Sequence, residues 1–478
     1  MSRNSKYKKL AVNSVTFAAA NFGSSILRFI IVPFYTYFMT TVEYGTVDIL
    51  TTTVSLVLPI FLMAINEAVL RYTLKKKVDN SRIIMSSFFV MFIGAIVFIP
   101  SYFICGLINI EKGLWGYFYV LLIVQGLYNI LLNYTRGIGK SIFFAVAGIL
   151  NTVVLLGSNV LLLAGFRMGL TGYMVSLLLS FIIADAFLLF VDRKTFHFSV
   201  KAIDFHLLRQ MMKYSIPLIP TAMMWWVMNA SDRYVITWVL GVSATGIYAV
   251  SHKIPTVINM LYSIFQQAWQ VSAVEEGNSQ GREKFYSNIY GLFCSALFIA
   301  SSIIILIDKP LIQFVVSSNY EDAWKYVPFL IISAIFSSLA GFLGINYVVA
   351  EKTIGAFVTS AITAAINWGL NIVLTPLIGM QGTALATLIG FAVLWLIRSV
   401  DTQKYIKYEQ NYLKIGIQTV ILIIQSLILI SDFKFSYILQ CVLFAGIVAI
   451  NYKSIASTIR AAKTFIGSLF HKKKIHSK

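Results

Sequence analysis

The chain has 478 residues, of which 58% are hydrophobic and 12% charged, with a mean hydropathy of +0.79. That charged share is about half of the roughly 25% found in ordinary soluble domains, so the composition excludes a soluble globular protein. Thirty-eight Lys and Arg against 19 Asp and Glu give a net charge of +19; in a soluble chain this would point to nucleic acid, but here membrane topology accounts for it and no nucleic-acid partner is expected.

Apolar stretches of about 18 residues or more, cut at charged or turn-forming breaks, predict membrane helices in order along the chain. They fall at 10–38, 46–69, 83–107, 114–135, 141–165, 169–191, 211–239, 247–271, 286–307, 325–349, 354–375, 381–400, 413–431 and 435–452. The expectation is therefore an all-α polytopic membrane protein of about fourteen spans. The first span begins after a basic start and contains Ala18-Ala19-Ala20, but the apolar run continues for a full span beyond, so an uncleaved helix is expected. Cys105, Cys294 and Cys441 sit singly in apolar runs and form neither a disulfide framework nor a zinc motif.

With the N-terminus placed inside, about 30 of the 38 basic residues fall in or beside inner segments. The outer loops hold Lys112, Arg167, Lys309, Lys325 and Lys434. Acidic residues show no such bias, as expected of a rule that concerns Lys and Arg alone. Both termini are thus expected in the cytoplasm and the chain in the cytoplasmic membrane. After residue 452, Ile455, Ile459, Ala462, Ile466 and Phe470 recur at helical spacing among Lys453, Arg460 and Lys463. That pattern suits either an amphipathic helix on an anionic leaflet or a solvated basic tail.

An internal repeat organises the spans. Residues 37–47, ending Glu43-Tyr44-Gly45-Thr46-Val47, lie over 238–248, ending Ala244-Thr245-Gly246-Ile247-Tyr248, at an offset of 201. About 210 residues apart, Gly157-Ser158-Asn159 with Gly169-Leu170-Thr171-Gly172 matches Gly369-Leu370-Asn371 with Gly379-Met380-Gln381-Gly382. The expected architecture is a parallel repeat, two six-helix lobes related by a pseudo-two-fold along the membrane normal, as in transporters with a cavity between halves. The N-lobe is expected at 1–191, a cytoplasmic linker at 192–210, the C-lobe at 211–400, two extra helices at 401–452 and the basic tail at 453–478.

Catalytic and metal motifs are absent from the sequence: it holds no Asp-x-Asp pair and no His-Glu-x-x-His, and Gly139-Lys140-Ser141 lacks the earlier glycine of a P-loop because Tyr134 stands there. An enzyme and a resident cofactor are not expected. Ionisable groups within spans are costly and call for an explanation. Arg28 lies deep in the first helix, and Lys253, after His252 and before Pro255, lies in the eighth. Arg233 stands beside Asp232 one turn beyond Asn229, the residue aligned with Arg28. Arg28, Lys253 and Arg233 suit an anionic substrate such as a diphosphate head group. Asn229, Asp232, Asp185 and His252 are the polar or ion-coupling candidates, with Na+ or H+ as the ion, and Glu67 with Arg71 one turn away is read as a gating pair at the inner rim. Trp225, Trp226, Tyr234, Trp238 and Tyr248 cluster around the seventh helix, as a sugar-stacking surface or an interfacial aromatic belt.

Three runs carry a family resemblance: residues 214–220, Tyr-Ser-Ile-Pro-Leu-Ile-Pro; residues 229–236, Asn-Ala-Ser-Asp-Arg-Tyr-Val-Ile; and Gly246-Ile247-Tyr248 with Lys253-Ile254-Pro255. Together with Arg28, Pro33, Glu43-Tyr44-Gly45 and Gln266-Gln267-Ala268-Trp269, they resemble the polysaccharide-biosynthesis (Wzx-type) flippases of the multidrug/oligosaccharidyl-lipid/polysaccharide (MOP) exporter superfamily. The resemblance implies fourteen helices around a cationic cavity and translocation of an undecaprenyl-diphosphate-linked oligosaccharide to the outer leaflet. It also implies a role for other polysaccharide-assembly proteins as partners. A lipid II flippase is the near alternative. A cation-coupled multidrug exporter, expected to have twelve helices and more cavity acids, and a polysaccharide polymerase, expected to have a large outer loop, fit less well.

Overall fold

A computed structural model describes residues 31–74, 79–102, 112–193, 203–276, 281–350, 352–454 and 456. Among these residues every regular element is helical and no strand occurs. Two compact units are present, one within 24–249 and one within 250–454.

In the first unit, residues 31–38 are helical and lead into α1 (Thr41–Phe61), α2 (Ile65–Leu74), α3 (Asn80–Phe98) and α4 (Lys112–Gly137). Next come α5 (Ser141–Asn159), continued by a π-helical turn over Val160–Gly165, and α6 (Gly169–Val191). Then follow α7 (Phe205–Ser215), a 3-10 turn at Ile216–Leu218, α8 (Ile219–Ala230), α9 (Asp232–Leu240) and α10 (Val242–Ser251). The helices α4, α5 and α6 pack on one another, while α2 lies against α3, α4 and α7, and α8 against α1.

The second unit holds α11 (Thr256–Glu276), α12 (Arg282–Val315), a 3-10 segment at Ser318–Lys325, α13 (Val327–Val349), α14 (Thr353–Ile378), α15 (Met380–Asp401), α16 (Tyr412–Ser431) and α17 (Ser436–Ile450). Here α15 packs along both α13 and α14, and α16 and α17 form a pair against α12. Among the described membrane-length helices, α13 has the largest buried share of its most apolar window, 83%, and α14 one of the smallest, 28%.

Ten of the described helices are long and apolar enough to cross a membrane. The second to fourteenth predicted segments nonetheless appear in order among the described residues, and the difference has local causes. The first lies mostly before residue 31, outside the described residues. The fourteenth, α17, has 15 residues. The seventh and eighth are broken, the former at 216–218 and 231 around Pro217 and Pro220, the latter at 252–255 around Pro255. Proline removes a backbone donor and clashes with the preceding turn, so an apolar run can be continuous while its helix is not.

The second predicted span, 46–69, is corrected in both respects. It starts at Thr41, where Thr40 and Glu43 form a reciprocal capping box, and it breaks after Phe61. At the break Met63 (φ 48°) and Ala64 (φ 49°) adopt left-handed backbone, an unusual state for residues with a Cβ. Ser215, at the end of α7, donates to the Met63 carbonyl at 2.8 Å, satisfying one carbonyl freed there. The predicted linker 192–210 is helical from Phe205, where Asp204 caps α7 through the backbone N–H groups of His206 and Leu207 and pairs with Arg82 at 3.3 Å. These bonds, led by that from Leu207, hold the Asp204 carboxyl below its ordinary value. The basic tail beyond Ser454, read as an amphipathic helix or a solvated segment, lies outside the described residues apart from Ala456.

Candidate functional site

The site grows from the crossing of α1 and α10. A Cβ on Gly45 would stand 2.2 Å from the Val242 carbonyl oxygen, and one on Gly246 would stand 2.0 Å from that of Thr41. Each would also meet the other glycine's backbone nitrogen, at 2.9 and 3.1 Å. Only two hydrogens in place of side chains permit this approach. The arrangement is reciprocal: Gly45 and Gly246 are equivalent under the offset of 201, and so are Thr41 and Val242. Repeat-related helices therefore meet across a local two-fold axis through repeat-related glycines, as the two copies do in a symmetric dimer. The Thr41 and Ser243 hydroxyls bond at 2.7 Å beside the crossing, and those of Thr237 and Thr245 at 2.8 Å.

Less than one turn further along α1, at Asp48, the contact with α9 carries charge. Arg233 Nε donates to Asp48 Oδ2 at 2.9 Å, while Nη1 donates to Asp232 Oδ1 at 2.8 Å and to the Asn229 carbonyl at 2.9 Å. Asp232 also accepts from the Arg233 backbone N–H. The side chains of Arg233, Asp48 and Asp232 are only 11%, 14% and 3% exposed. The guanidinium is thus enclosed by two carboxylates, and the trio has a net charge of −1. Next to it, Tyr234 and Thr53 share a 2.6 Å hydroxyl bond, and Trp226 Nε1 donates to the Thr52 carbonyl and to Ser55. Trp226 and Tyr234 meet edge to face at 5.6 Å, Tyr248 is fully buried, and Trp238 is exposed. Two of the predicted sugar-stacking aromatics are therefore spent on holding α8 and α9 to α1.

The other sequence candidates lie elsewhere. Arg28 is outside the described residues. His252 and Lys253 occupy the break between α10 and α11 in the second unit, each half-buried. Asn229 is exposed, and its amide donates to the Trp225 carbonyl. Asp185 is buried in α6, and neither of its carboxyl oxygens has a hydrogen-bond partner among the described residues. Glu67 and Arg71 do not pair: Glu67 accepts from Asn66, and Arg71 stacks over Tyr214 at 4.0 Å, because the α2–α7 contact draws the guanidinium sideways.

Sequence reasoning passed over three groups. Asp48 was hidden because the second span was begun too late, leaving this residue at a supposed outer edge. Arg398, counted as an inner-edge cation, is buried on α15 and donates to the Ala340 and Ala356 carbonyls, Thr359 and Ser360, so it binds α13, α14 and α15 together through neutral oxygens. Asp308, assigned to a loop, is a fully buried member of the 34-residue α12. Among the described residues no cluster of His, Cys, Asp or Glu could hold a metal ion.

The polysaccharide biosynthesis protein family matches residues 10–270, more than half of the chain and the whole of the crossing described above. The chain belongs to this family. No curated protein matches it. Among solved structures, a lipid II flippase, MurJ, in an inward closed conformation is similar over 92% of this chain and 100% of its own, with a TM-score of 0.69 and 16% identity. An inward-facing multidrug-resistance MATE transporter of the MOP superfamily is similar over 88% and 96%, with a TM-score of 0.61 and 12% identity. A MATE protein in complex with MaL6 has a TM-score of 0.59, 13% identity and coverage of 87% and 97%. The family member described here has the helical membrane fold of the MOP superfamily.

Proposed function

We propose that this family member is a flippase that moves an undecaprenyl-diphosphate-linked oligosaccharide repeat unit from the inner to the outer leaflet for surface polysaccharide assembly. The observation that carries the reading is the family match over residues 10–270. The fold, shared along its length with a flippase and with exporters, supports the same direction. Helices broken at 62–64, 216–218 and 252–255 supply bending points of the kind transport cycles use. In this reading, the chain sits in the cytoplasmic membrane with both termini in the cytoplasm, and Arg28 and Lys253 are the diphosphate ligands. Arg233, held between two carboxylates, instead fastens α9 to α1. The Gly45–Gly246 crossing then lies on the outer side and must part for release.

The test is gene deletion with lipid analysis, in a strain lacking a redundant flippase. The expected result is accumulation of a lipid-linked repeat unit and loss of surface polysaccharide, rescued by the wild type and not by equally expressed Arg28→Ala. Normal polysaccharide and lipid intermediates after deletion would exclude the reading. A second reading, lipid II as substrate, is favoured by the TM-score of 0.69 to the lipid II flippase. Rescue of a lipid II flippase deletion by this chain, with surface polysaccharide untouched by its own loss, would select that substrate.

A further inference from the structure

The site described above leaves one buried acid of the first unit without a task. Asp185 is 3% exposed, and both carboxyl oxygens lack a hydrogen-bond partner among the described residues. Its neighbours on α6, Ala184 and Leu188, belong to an apolar cluster with Tyr128 and Leu131 of α4 and Ala147 of α5. Seven residues further along α6, nearly the same face carries Asp192. That residue is satisfied by Thr135 of α4 at 3.0 Å and by Lys140, at the start of α5, at 2.6 Å. Two neighbouring acids on one helix are thus treated oppositely, the second given a cation and a hydroxyl, the first given neither.

Charges near the Asp192 end of α6, and those of α1, which packs against α6, are committed elsewhere. Lys140 is spent on Asp192, and Arg136 of α4 lies over Phe144. On α1, Glu43 caps Thr40 and the Leu170 N–H of α6, and Asp48 holds Arg233. Tyr128 is the titratable group of α4 in the surrounding cluster. An isolated carboxylate in an apolar interior carries a desolvation cost of several kcal/mol, which is removed by binding a cation or a proton. A metal ion of the hard class takes about six oxygen ligands, and this cluster offers hydrocarbon and one phenol. A proton needs one carboxyl oxygen.

We propose that Asp185 is a proton-binding site, carried as the neutral acid inside the first unit, and that its proton is the ion exchanged during transport. The second half of the statement rests on the flippase reading. In the exchange an O–H bond forms at the Asp185 carboxylate with a proton from water on one side of the membrane. The same bond breaks to water on the other side, and nothing is oxidised or reduced.

The experiment is infrared difference spectroscopy of the full-length protein in lipid vesicles across a pH titration, with Asp185→Asn and Asp308→Asn. Asp308 is also buried without a partner among the described residues and contributes its own signal. A protonated-carboxyl band at neutral pH, shifted in D2O, lost in Asp185→Asn and kept in Asp308→Asn, is expected. No loss of band in Asp185→Asn, or Na+-dependent thermal stabilisation abolished by that substitution, would overturn the proposal. If Asp185→Asn does not fold, Asp185→Glu serves, and its band must move rather than vanish. Flipping of an undecaprenyl-diphosphate-linked oligosaccharide in the same vesicles is then measured under an imposed pH difference. One exchanged proton shifts the leaflet distribution by up to about tenfold per pH unit, and Asp185→Asn should flatten that response. Absence of flipping by the wild type with the band intact removes the flippase reading and leaves the proton site standing; a wild type that flips with no pH response removes the exchange.

Discussion

Among the described residues, each unit encloses an arginine, and the two are held differently. Arg233 lies between Asp48 and Asp232, whereas the bonds of Arg398 run to the Ala340 and Ala356 carbonyls and the Thr359 and Ser360 hydroxyls. The first joins helices through one cation shared by two carboxylates, groups that water can solvate when they part. The second joins three helices through donors that find several fixed acceptors at once, which suits a part that stays assembled. An arginine paired with carboxylates and an arginine clamped by neutral oxygens are therefore two solutions to the same desolvation problem.

The strongest way to break this contrast is Arg398→Ala. It removes four charge-assisted bonds and leaves a void between α13, α14 and α15, so a loss of about 3 kcal/mol or more is expected. Thermal unfolding of the detergent-solubilised protein should fall furthest in this variant, with Arg398→Lys intermediate because an ammonium cannot reproduce the fork. A melting point equal to wild type would remove the clamp.

Next comes the double substitution Asp48→Asn with Asp232→Asn. Each alone leaves Arg233 one counter-charge, but together they strand it, so the double loss should exceed the sum of the singles by about 1 kcal/mol or more. Strict additivity of the three stabilities would show that Arg233 has another partner.

Gly45→Ala should cost about 1–3 kcal/mol, because the Cβ that would lie 2.2 Å from the Val242 carbonyl meets backbone that cannot step aside. Gly344→Ala in the second unit meets Arg398 Nη1 at 2.8 Å, a side-chain atom rather than backbone, and should cost less, mainly through its bond to the Ala340 carbonyl. The order of the two melting points checks the comparison. The smallest effect is expected for Tyr234→Phe, about 1 kcal/mol for the lost bond to Thr53, with transport little changed.

The second to fourteenth helical segments were legible in order because hydrophobic length is a direct consequence of bilayer thickness. It showed the Asp232–Arg233 pair because adjacent opposite charges in an apolar run have few explanations. It could not show that Asp48 completes the cluster, since that depends on where α1 begins, and a capping box fixed that start five residues earlier than hydropathy did. Arg398 stayed hidden for a different reason. A cation near a predicted inner edge satisfies the topology rule whether it faces water or the bundle, and only the packing of α13 and α14 decides. The breaks at 216–218 and 252–255 announced themselves through proline, whereas that at 62–64 is made by Met63 and Ala64, residues with no turn signal.

The reciprocal glycine crossing has an uneven load. Under the offset that superposes Gly45 on Gly246, Arg233 corresponds to Val32 and Asp48 to Ala249, and both of these counterparts are buried and apolar. The frame is symmetric and its chemistry is not: one pair of equivalent positions carries ions and the other carries buried apolar residues. In the proposed transport cycle such a joint would have a preferred side, because ions part at least cost where water reaches them and apolar residues carry no such requirement.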